Sequence, residues 1–336
     1  MKQGKQSWVF TNRPVIIASA TVGGPREANG PLADDIDLLH DDLLFGEQSF
    51  EKAERKLLEE ACELAMQKAN LSKENIDFFL AGDLSNQIVS STFTGRDFSF
   101  PYLGLFGACS TSMESLALAA LIVDSHNGNN VLCGTASHYA AIEKQYRYPT
   151  EYGSQKPDTA QWTVTGAGAA IVAQTGNGPQ ITAATIGKVV DMGLSDPFNM
   201  GAAMAPAAVD TLSAHFQDFN ITPDYYDLIV TGDLGKVGHQ LTWDLFPKFN
   251  ITMPKNKYND CGLMIYHEQQ PMLFAGASGA ACSAVVTYGH ILNSMRQGEL
   301  HKVLIVATGA LLSPLSYQQK ESIPCIAHAV AIEYYQ

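Results

Sequence analysis

Cys109 is the residue whose neighbours best suit it to chemistry. It lies in Gly104-Leu-Phe-Gly-Ala-Cys-Ser-Thr-Ser-Met-Glu114. Thr111 and Glu114 have the spacing of a capping box, which places a helix start near Thr111. A thiol just ahead of a helix meets unpaired N–H groups and the positive end of the dipole, both of which favour the thiolate. Its small neighbours leave room for a ligand at the sulfur. Two readings stand side by side: a nucleophile ahead of a buried helix, or an inert buried thiol. Asp83 and Asp233 come next, each closing a short apolar run with Gly-Asp-Leu, in Asn75-Ile-Asp-Phe-Phe-Leu-Ala-Gly-Asp-Leu84 and Asp224-Tyr-Tyr-Asp-Leu-Ile-Val-Thr-Gly-Asp-Leu234. Each aspartate either caps a following turn or faces a shared central site. Lys144, Arg147 and Lys156 fall in an aromatic-bearing stretch over about 138–165. They form a solvated face or the rim of an entrance.

The elements that position these residues occur twice. A β-rich run from Pro14 to Gly24 is matched by one from Pro179 to Gly187. A helix follows in each half. Leu57, Ala61, Ala65 and Ala69 share one face of the first, and the second runs from about Met204 to Phe219 with Pro206 in its opening turn. The Gly-Asp-Leu strands come next, then Gly- and Ala-rich turns opening long apolar helices over 104–123 and 276–292. Strands at Val131 and Val303 follow, and each half closes with one more strand, 167–173 and 327–333. Each half thus reads β-α-β-α-β-β, with boundaries at 1–175 and 176–336 and excursions at about 23–50 and 138–165. Alternating strands and helices require crossovers and a mostly parallel sheet. Apolar runs imply sheets covered on both faces. The expected fold is an α/β sandwich of five layers, α-β-α-β-α, with two sheets around the buried helices.

Composition narrows the function classes. The chain has 336 residues, 46% hydrophobic and 16% charged, which excludes a disordered tail or a fibrous repeat. Its net charge of −13 repels phosphate backbones and anionic lipid, so nucleic acid is not an expected partner. The 6 cysteines form no Cys-x-x-Cys and suit a reducing compartment. Asn12, Arg13 and Pro14 break the run after Lys2 and Lys5, so no signal peptide is expected. The stretches 102–123 and 272–292 read as buried helices and not as membrane spans. Asp34, Asp35, Asp37, Asp41 and Asp42 form either a solvated acidic loop or a metal-binding one. His267-Glu-Gln-Gln-Pro271 lacks the second histidine of a zinc motif, and Gly166-Ala-Gly168 lacks the third glycine of a dinucleotide motif.

The duplicated layout, with Gly-Ala-Cys-Ser opening the first central helix, resembles the thiolase superfamily, nearest to ketoacyl-synthase III in arrangement. More narrowly, Asp191-Met-Gly-Leu-Ser-Asp-Pro-Phe-Asn-Met-Gly-Ala-Ala-Met-Ala-Pro206 and Tyr148-Pro-Thr-Glu-Tyr-Gly-Ser-Gln-Lys-Pro157 resemble the stage V sporulation protein AD family. Condensing enzymes of the superfamily pair a nucleophilic cysteine with a His–Asn or His–His pair. Cys109 matches the nucleophile. Thr231-Gly232-Asp233 stands where the histidine belongs, with His239 about six residues later. Gly276-Ala277-Ser278-Gly279 stands where the asparagine belongs, and Thr308-Gly309-Ala310 replaces the thiolase cysteine turn. An ionised carboxylate cannot donate to an oxyanion, and losing one such donor costs about 100- to 1000-fold in rate. The resemblance therefore implies a pocket kept and a chemistry lost. The alternative is an active acyl-coenzyme A-dependent transferase or condensing enzyme using Cys109.

The narrower resemblance implies a binding protein for dipicolinic acid, largely as its calcium chelate, in the uptake and release machinery of spores. The pocket it implies is lined by Asp83, Cys109, Ser110, Asp233, Ser278 and Gly309, with Lys144 and Arg147 at the entrance. Calcium would arrive with the ligand and meet Asp83 and Asp233, since calcium prefers several oxygen ligands. No separate cofactor is implied. The implied partners are membrane subunits of the same assembly, reached from the periphery of the spore inner membrane, and a second copy of the chain in a homodimer.

Overall fold

The computed structural model describes residues 1–146 and 156–335. The main elements are β1 (Val15–Gly23), α1 (Phe50–Ala69), β2 (Phe78–Asp83), α2 (Val89–Phe98), β3 (Tyr102–Gly104), α3 (Thr111–Asp124), β4 (Asn130–Ser137), α4 (Tyr139–Tyr146) and β5 (Gly166–Ala173). The second half follows with β6 (Gln180–Thr185), α5 (Met200–Phe219), β7 (Leu228–Thr231), α6 (Gly235–Leu245) and β8 (Tyr258–Asp260). A helix over 280–296, α7, then precedes β9 (Lys302–Ala310), α8 (Pro314–Gln318) and β10 (Cys325–Glu333).

The strands pair in the same order in both halves: β3-β2-β4-β5-β1 and β8-β7-β9-β10-β6. In each group the last strand of the half, β5 or β10, runs antiparallel to both neighbours, while the others run together. Two separate sheets were expected. Among the described residues the groups are instead one continuous sheet, joined where Val15 pairs with Gln180. Each half also carries a helix and an edge strand that the apolar pattern missed, α2 with β3 and α6 with β8, because both edge strands are only three residues long.

Packing follows from the alternation of side chains along each strand. In β2, Leu80 faces the middle core while Phe79 and Ala81 face α1. In β9, Val303 and Ile305 face inward while Leu304 and Val306 face α5. The helices α3 and α7 lie between the two groups of strands, with α1 and α5 outside, which completes the five layers. Leu57, Leu58, Ala61 and Ala65 of α1 are fully buried. The helices α1 and α5 end alike, at Asn70 and Asn220, whose left-handed φ of 53° and 52° turns the chain toward the next strand. That shared cap is a further trace of repetition.

Three expectations need correction. The helix α5 starts at Met200, so Pro206 is inside it and costs it one internal hydrogen bond. The segment Thr308-Gly309-Ala310 is the end of β9, paired with β10, and not a turn. The acidic excursion is not merely solvated: Asp35 meets His290 at 2.7 Å and Asn293 at 3.0 Å, Asp37 meets Lys68 at 2.6 Å, and Asp42 accepts from Leu44 N and Phe45 N. No helix among the described residues is long and apolar enough to cross a membrane.

A buried polar chain ties α5 to β6. His215 Nδ1 lies 2.8 Å from Thr185 Oγ1, and its Nε2 lies 2.7 Å from the Tyr226 hydroxyl. Burial pushes the imidazole down to about 3 from its ordinary 6.5. Unfolded chain therefore takes a proton on His215 below 6.5 that folded chain refuses until about 3, so this contribution to stability is full above 6.5 and is lost as pH falls. The stability gap between the native chain and His215→Gln, measured by urea unfolding, should shrink by about 2 kcal/mol between about pH 7 and about pH 5.

Candidate functional site

Both central helices begin at the same end of the sheet, and their amino termini meet there. Cys109 sits in the tight turn Ala108–Ser110 immediately before α3. The expected capping box does not form. Thr111 Oγ1 donates instead to Ala108 O at 2.7 Å, and Ser110 Oγ donates to Gly107 O at 2.7 Å. The Glu114 carboxyl group meets the Gly107 amide, and burial pushes its pKa up. Ala108 has a φ of 52°, a left-handed conformation that an alanine adopts only when its surroundings hold it. Nearby, Ile88 has a φ of 48°, which is more costly still for a β-branched side chain.

The turn is held from behind by Gly309. A Cβ there would lie 2.3 Å from Gly107 O and 3.0 Å from Ser110 N, so β9 reaches the cysteine turn only because residue 309 has no side chain. Gly309 and Ser110 thus brace the site without lining it. Asp233 is also behind the wall. Its Oδ1 accepts from Thr308 Oγ1 at 2.7 Å and its Oδ2 from Gly279 N at 3.0 Å, which joins the end of β7 to β9 and to the start of α7. His239 stacks on Tyr258 with ring centroids 4.8 Å apart, away from the thiol.

In front of the thiol is a cavity of about 310 Å³, bounded by Asp83, Ile88, Phe106, Cys109, Ile142 and Ser278 among others. The structure thus brings together three of the anticipated site residues: Asp83, Cys109 and Ser278. Met200 and the stretch 310–314 close the other side, so both halves contribute walls. No histidine is among the described lining residues, and Asp83 is the one charged side chain among them. Asp83 accepts from Ser85 N at 2.9 Å and from Ser91 N and Oγ, both at 2.7 Å. Burial nevertheless pushes its pKa up to about 6. The pairing of Asp83 with Asp233 around one calcium is therefore not what the geometry offers, because Asp233 does not line the cavity. Among the described residues no group of three or more His, Cys, Asp or Glu side chains is arranged to hold a metal.

The two described lysines expected at the entrance are engaged elsewhere. Lys144 is exposed and paired with Glu51 at 3.3 Å. Lys156 is buried against Glu143 at 3.2 Å, beneath Tyr139. Arg147 is outside the described residues. Sequence reasoning missed Glu54, Tyr146 and the strained Leu84–Ile88 wall. Glu54 carried a readable signal: it is an acid on the same α1 face as Leu57, Leu58 and Ala61.

Comparison with known proteins gives this geometry a family. The family model for stage V sporulation protein AD matches residues 4–333. The chain is 52% identical over 330 residues to stage V sporulation protein AD of Bacillus subtilis, covering 98% of this chain and 97% of that one. This chain belongs to the stage V sporulation protein AD family. Solved structures share its thiolase-like fold. They include 3-oxoacyl-[acyl-carrier-protein] synthase III from Aquifex aeolicus, at a TM-score of 0.59 and 15% identity, covering 96% of this chain and 100% of that chain. A variant of OleA from Xanthomonas campestris has a TM-score of 0.65 at 12% identity, covering 97% and 98% of the two chains. Cerulenin-bound OleA gives a TM-score of 0.63, also at 12% identity, covering 97% and 98%. At such identities the likeness is one of fold.

The close approach of β9 to the cysteine turn has a measurable consequence. Gly309→Ala should destabilise the protein by about 1–3 kcal/mol in urea unfolding, because backbone must move on both sides. An unchanged midpoint would mean that the approach is looser than described.

Proposed function

We propose that this member of the family is a non-catalytic binding subunit for dipicolinic acid, carried as its calcium chelate, in the uptake and release machinery of the spore. One observation carries the non-catalytic part. At the place where condensing enzymes keep a proton donor, Asp233 has its two oxygens committed to Thr308 and Gly279. An aspartate bound in this way stabilises the fold and cannot donate to a developing oxyanion.

The cavity supports the ligand class. At about 310 Å³ it is at the small end of ligand sites, which run from about 300 to 1,000 Å³. That suits a single-ring molecule better than a long acyl chain. Its walls are mostly apolar, with polar groups that include the hydroxyls of the paired Ser278 and Thr163 and the carboxylate of Asp83. Ionised Asp83 opposes a bare dianion and tolerates a chelate whose charge calcium has cancelled. Contact with a membrane is through partner subunits of the same assembly, in keeping with the chain's charge of −13. A second copy is proposed to dock at the edge strand β3 and the residues just after it, where Leu103 is 47% exposed and Phe106, at the cavity rim, is 62% exposed.

Calorimetry should give saturable binding of dipicolinate that is tighter with calcium. Asp83 is ionised above about 6 and protonated below it, so the advantage from calcium should be largest at neutral pH and shrink as pH falls through about 6. Asp83→Asn should reduce that advantage by about tenfold, or about 1.4 kcal/mol. Absence of binding with and without calcium would sink the proposal. Incubation with acyl-coenzyme A should leave the intact mass unchanged. A covalent adduct at Cys109 with turnover would favour the acyltransferase reading instead. Sedimentation at micromolar concentration should give a dimer, and a single monomeric species would speak against the β3 contact.

A further inference from the structure

A second carboxyl group lies directly behind the cavity wall. Glu54 of α1 is fully buried, and its Oε1 accepts from Ser85 Oγ and Ser90 Oγ, both at 3.0 Å. Asp83 takes the amides of the same segment, from Ser85 and Ser91. Ser85 therefore touches both acids, through its amide and its hydroxyl. The His138 amide also faces the Glu54 carboxyl group, yet Oε2 is buried with no hydrogen-bond partner of good geometry.

The segment strapped by these contacts is the Leu84–Ile88 wall of the cavity. It is bent into left-handed backbone at Gln87, with a φ of 62°, and at Ile88. Such a bend persists only when its surroundings over-determine it. On its other side, Tyr146 Oη and Gln145 Nε2 donate to Leu84 O at 2.7 and 3.1 Å. Gln145 Oε1 accepts from Asn86 N at 3.0 Å.

Two buried carboxyl groups bridged by one serine cannot both ionise cheaply. Among the described residues the titratable groups facing them are Tyr102 next to β2, Tyr146 on α4, His138 after β4 and Cys109 ahead of α3. None is a cation at neutral pH: burial raises both tyrosines to about 12 and lowers His138. Arg55, the next residue on α1, is engaged with Glu59 at 3.1 Å and Asp97 at 3.7 Å. Burial, with the charge of Asp83 adding to it, pushes Glu54 well above the usual carboxylate range.

We propose that Glu54 is a positioning residue that stays protonated beside ionised Asp83, and that its contacts with Ser85 and Ser90 hold the Leu84–Ile88 wall in its ligand-binding shape. Ligand binding is then linked to one proton on a residue that never touches the ligand. Losing that proton sets two like charges against each other and loosens the wall. The ligand-binding part of this inference rests on the cavity being the dipicolinate site, but the proton and the wall do not.

Infrared difference spectra of the ligand-free protein test the proton directly. The carbonyl absorbance of neutral carboxylic acids at neutral pH should fall by one group in Glu54→Gln, leaving the contribution of other buried acids such as Asp260, and an unchanged absorbance would overturn the proposal, whatever the ligand. Alkylation of Cys109 by iodoacetamide, compared between native protein and Glu54→Gln at each pH, tests the wall. The native protein should become the faster of the two as pH rises, and equal rates throughout would overturn the link. With calcium dipicolinate as probe, native affinity should fall by up to about tenfold per pH unit once Glu54 ionises. Glu54→Gln, which keeps the acceptor for both serines and cannot ionise, should hold one affinity over the same range, and a parallel pH profile would overturn the proposal. No calorimetric binding by either protein would remove the dipicolinate reading, while leaving the spectroscopic and alkylation results to decide the role of Glu54. Should Glu54→Gln fail to fold, Ser90→Ala, which removes one donor to Glu54 and leaves the Asp83 contacts in place, should shift the carbonyl band, and an unshifted band would overturn the proposal.

Discussion

Two helices, α3 and α7, have sheet or helix on every side, and most of the molecule follows from that. A helix with no wet face must be apolar or small all round, which is why Met113, Leu116, Ala117 and Ala120 of α3 and Ala281, Cys282 and Ala284 of α7 are fully buried. Its polar ends must still be satisfied. Both amino termini therefore meet at one end of the sheet, among hydroxyls and close-packed glycines. The cavity is the space left where those two ends, one from each half, fail to fill the interior.

Burial also explains the electrostatics of that end. Asp83, Glu54, Asp233 and Asp260 are all withdrawn from water, and each is met by serine or threonine hydroxyls or backbone amides. Hydrogen bonds of this kind recover part of the cost of desolvation but do not cancel it, so Asp83 is raised to about 6 and Asp260 to about 7. Asp83 and Asp260, which order the loops beside them, are thereby poised to change protonation near neutrality.

Much of the fold was legible because the repeat was written in apolar periodicity and in the twin Gly-Asp-Leu strands. The short edge strands β3 and β8 were not, since three residues carry too little pattern. The thiol at the head of α3 could be read from its neighbours, although the capping box could not: Glu114 turns to the Gly107 amide instead of the helix start. The sequence marks Asp233 as a candidate, but its partners Thr308 and Gly279 are 75 and 46 residues away, beyond the reach of local pattern. Glu54 is hard to read from sequence for a related reason. Its apolar company marked it as unusual, yet its serine partners come from a loop whose course no local pattern fixes.

Among the described residues, the meeting of Val15 with Gln180 is the sole in-register pair joining the two groups of five strands, with backbone bonds of 2.8 Å on either side from Ile16 to Pro179 and from Ile181 to Pro14. So narrow a seam transmits little torque through the sheet itself. What stiffens the molecule across it is the central layer of helices and whatever fills the space at their heads. A molecule lodged between Asp83 and Cys109 on one side and Ser278 and Pro314 on the other would act as a rivet, and an empty protein would be the more compliant of the two.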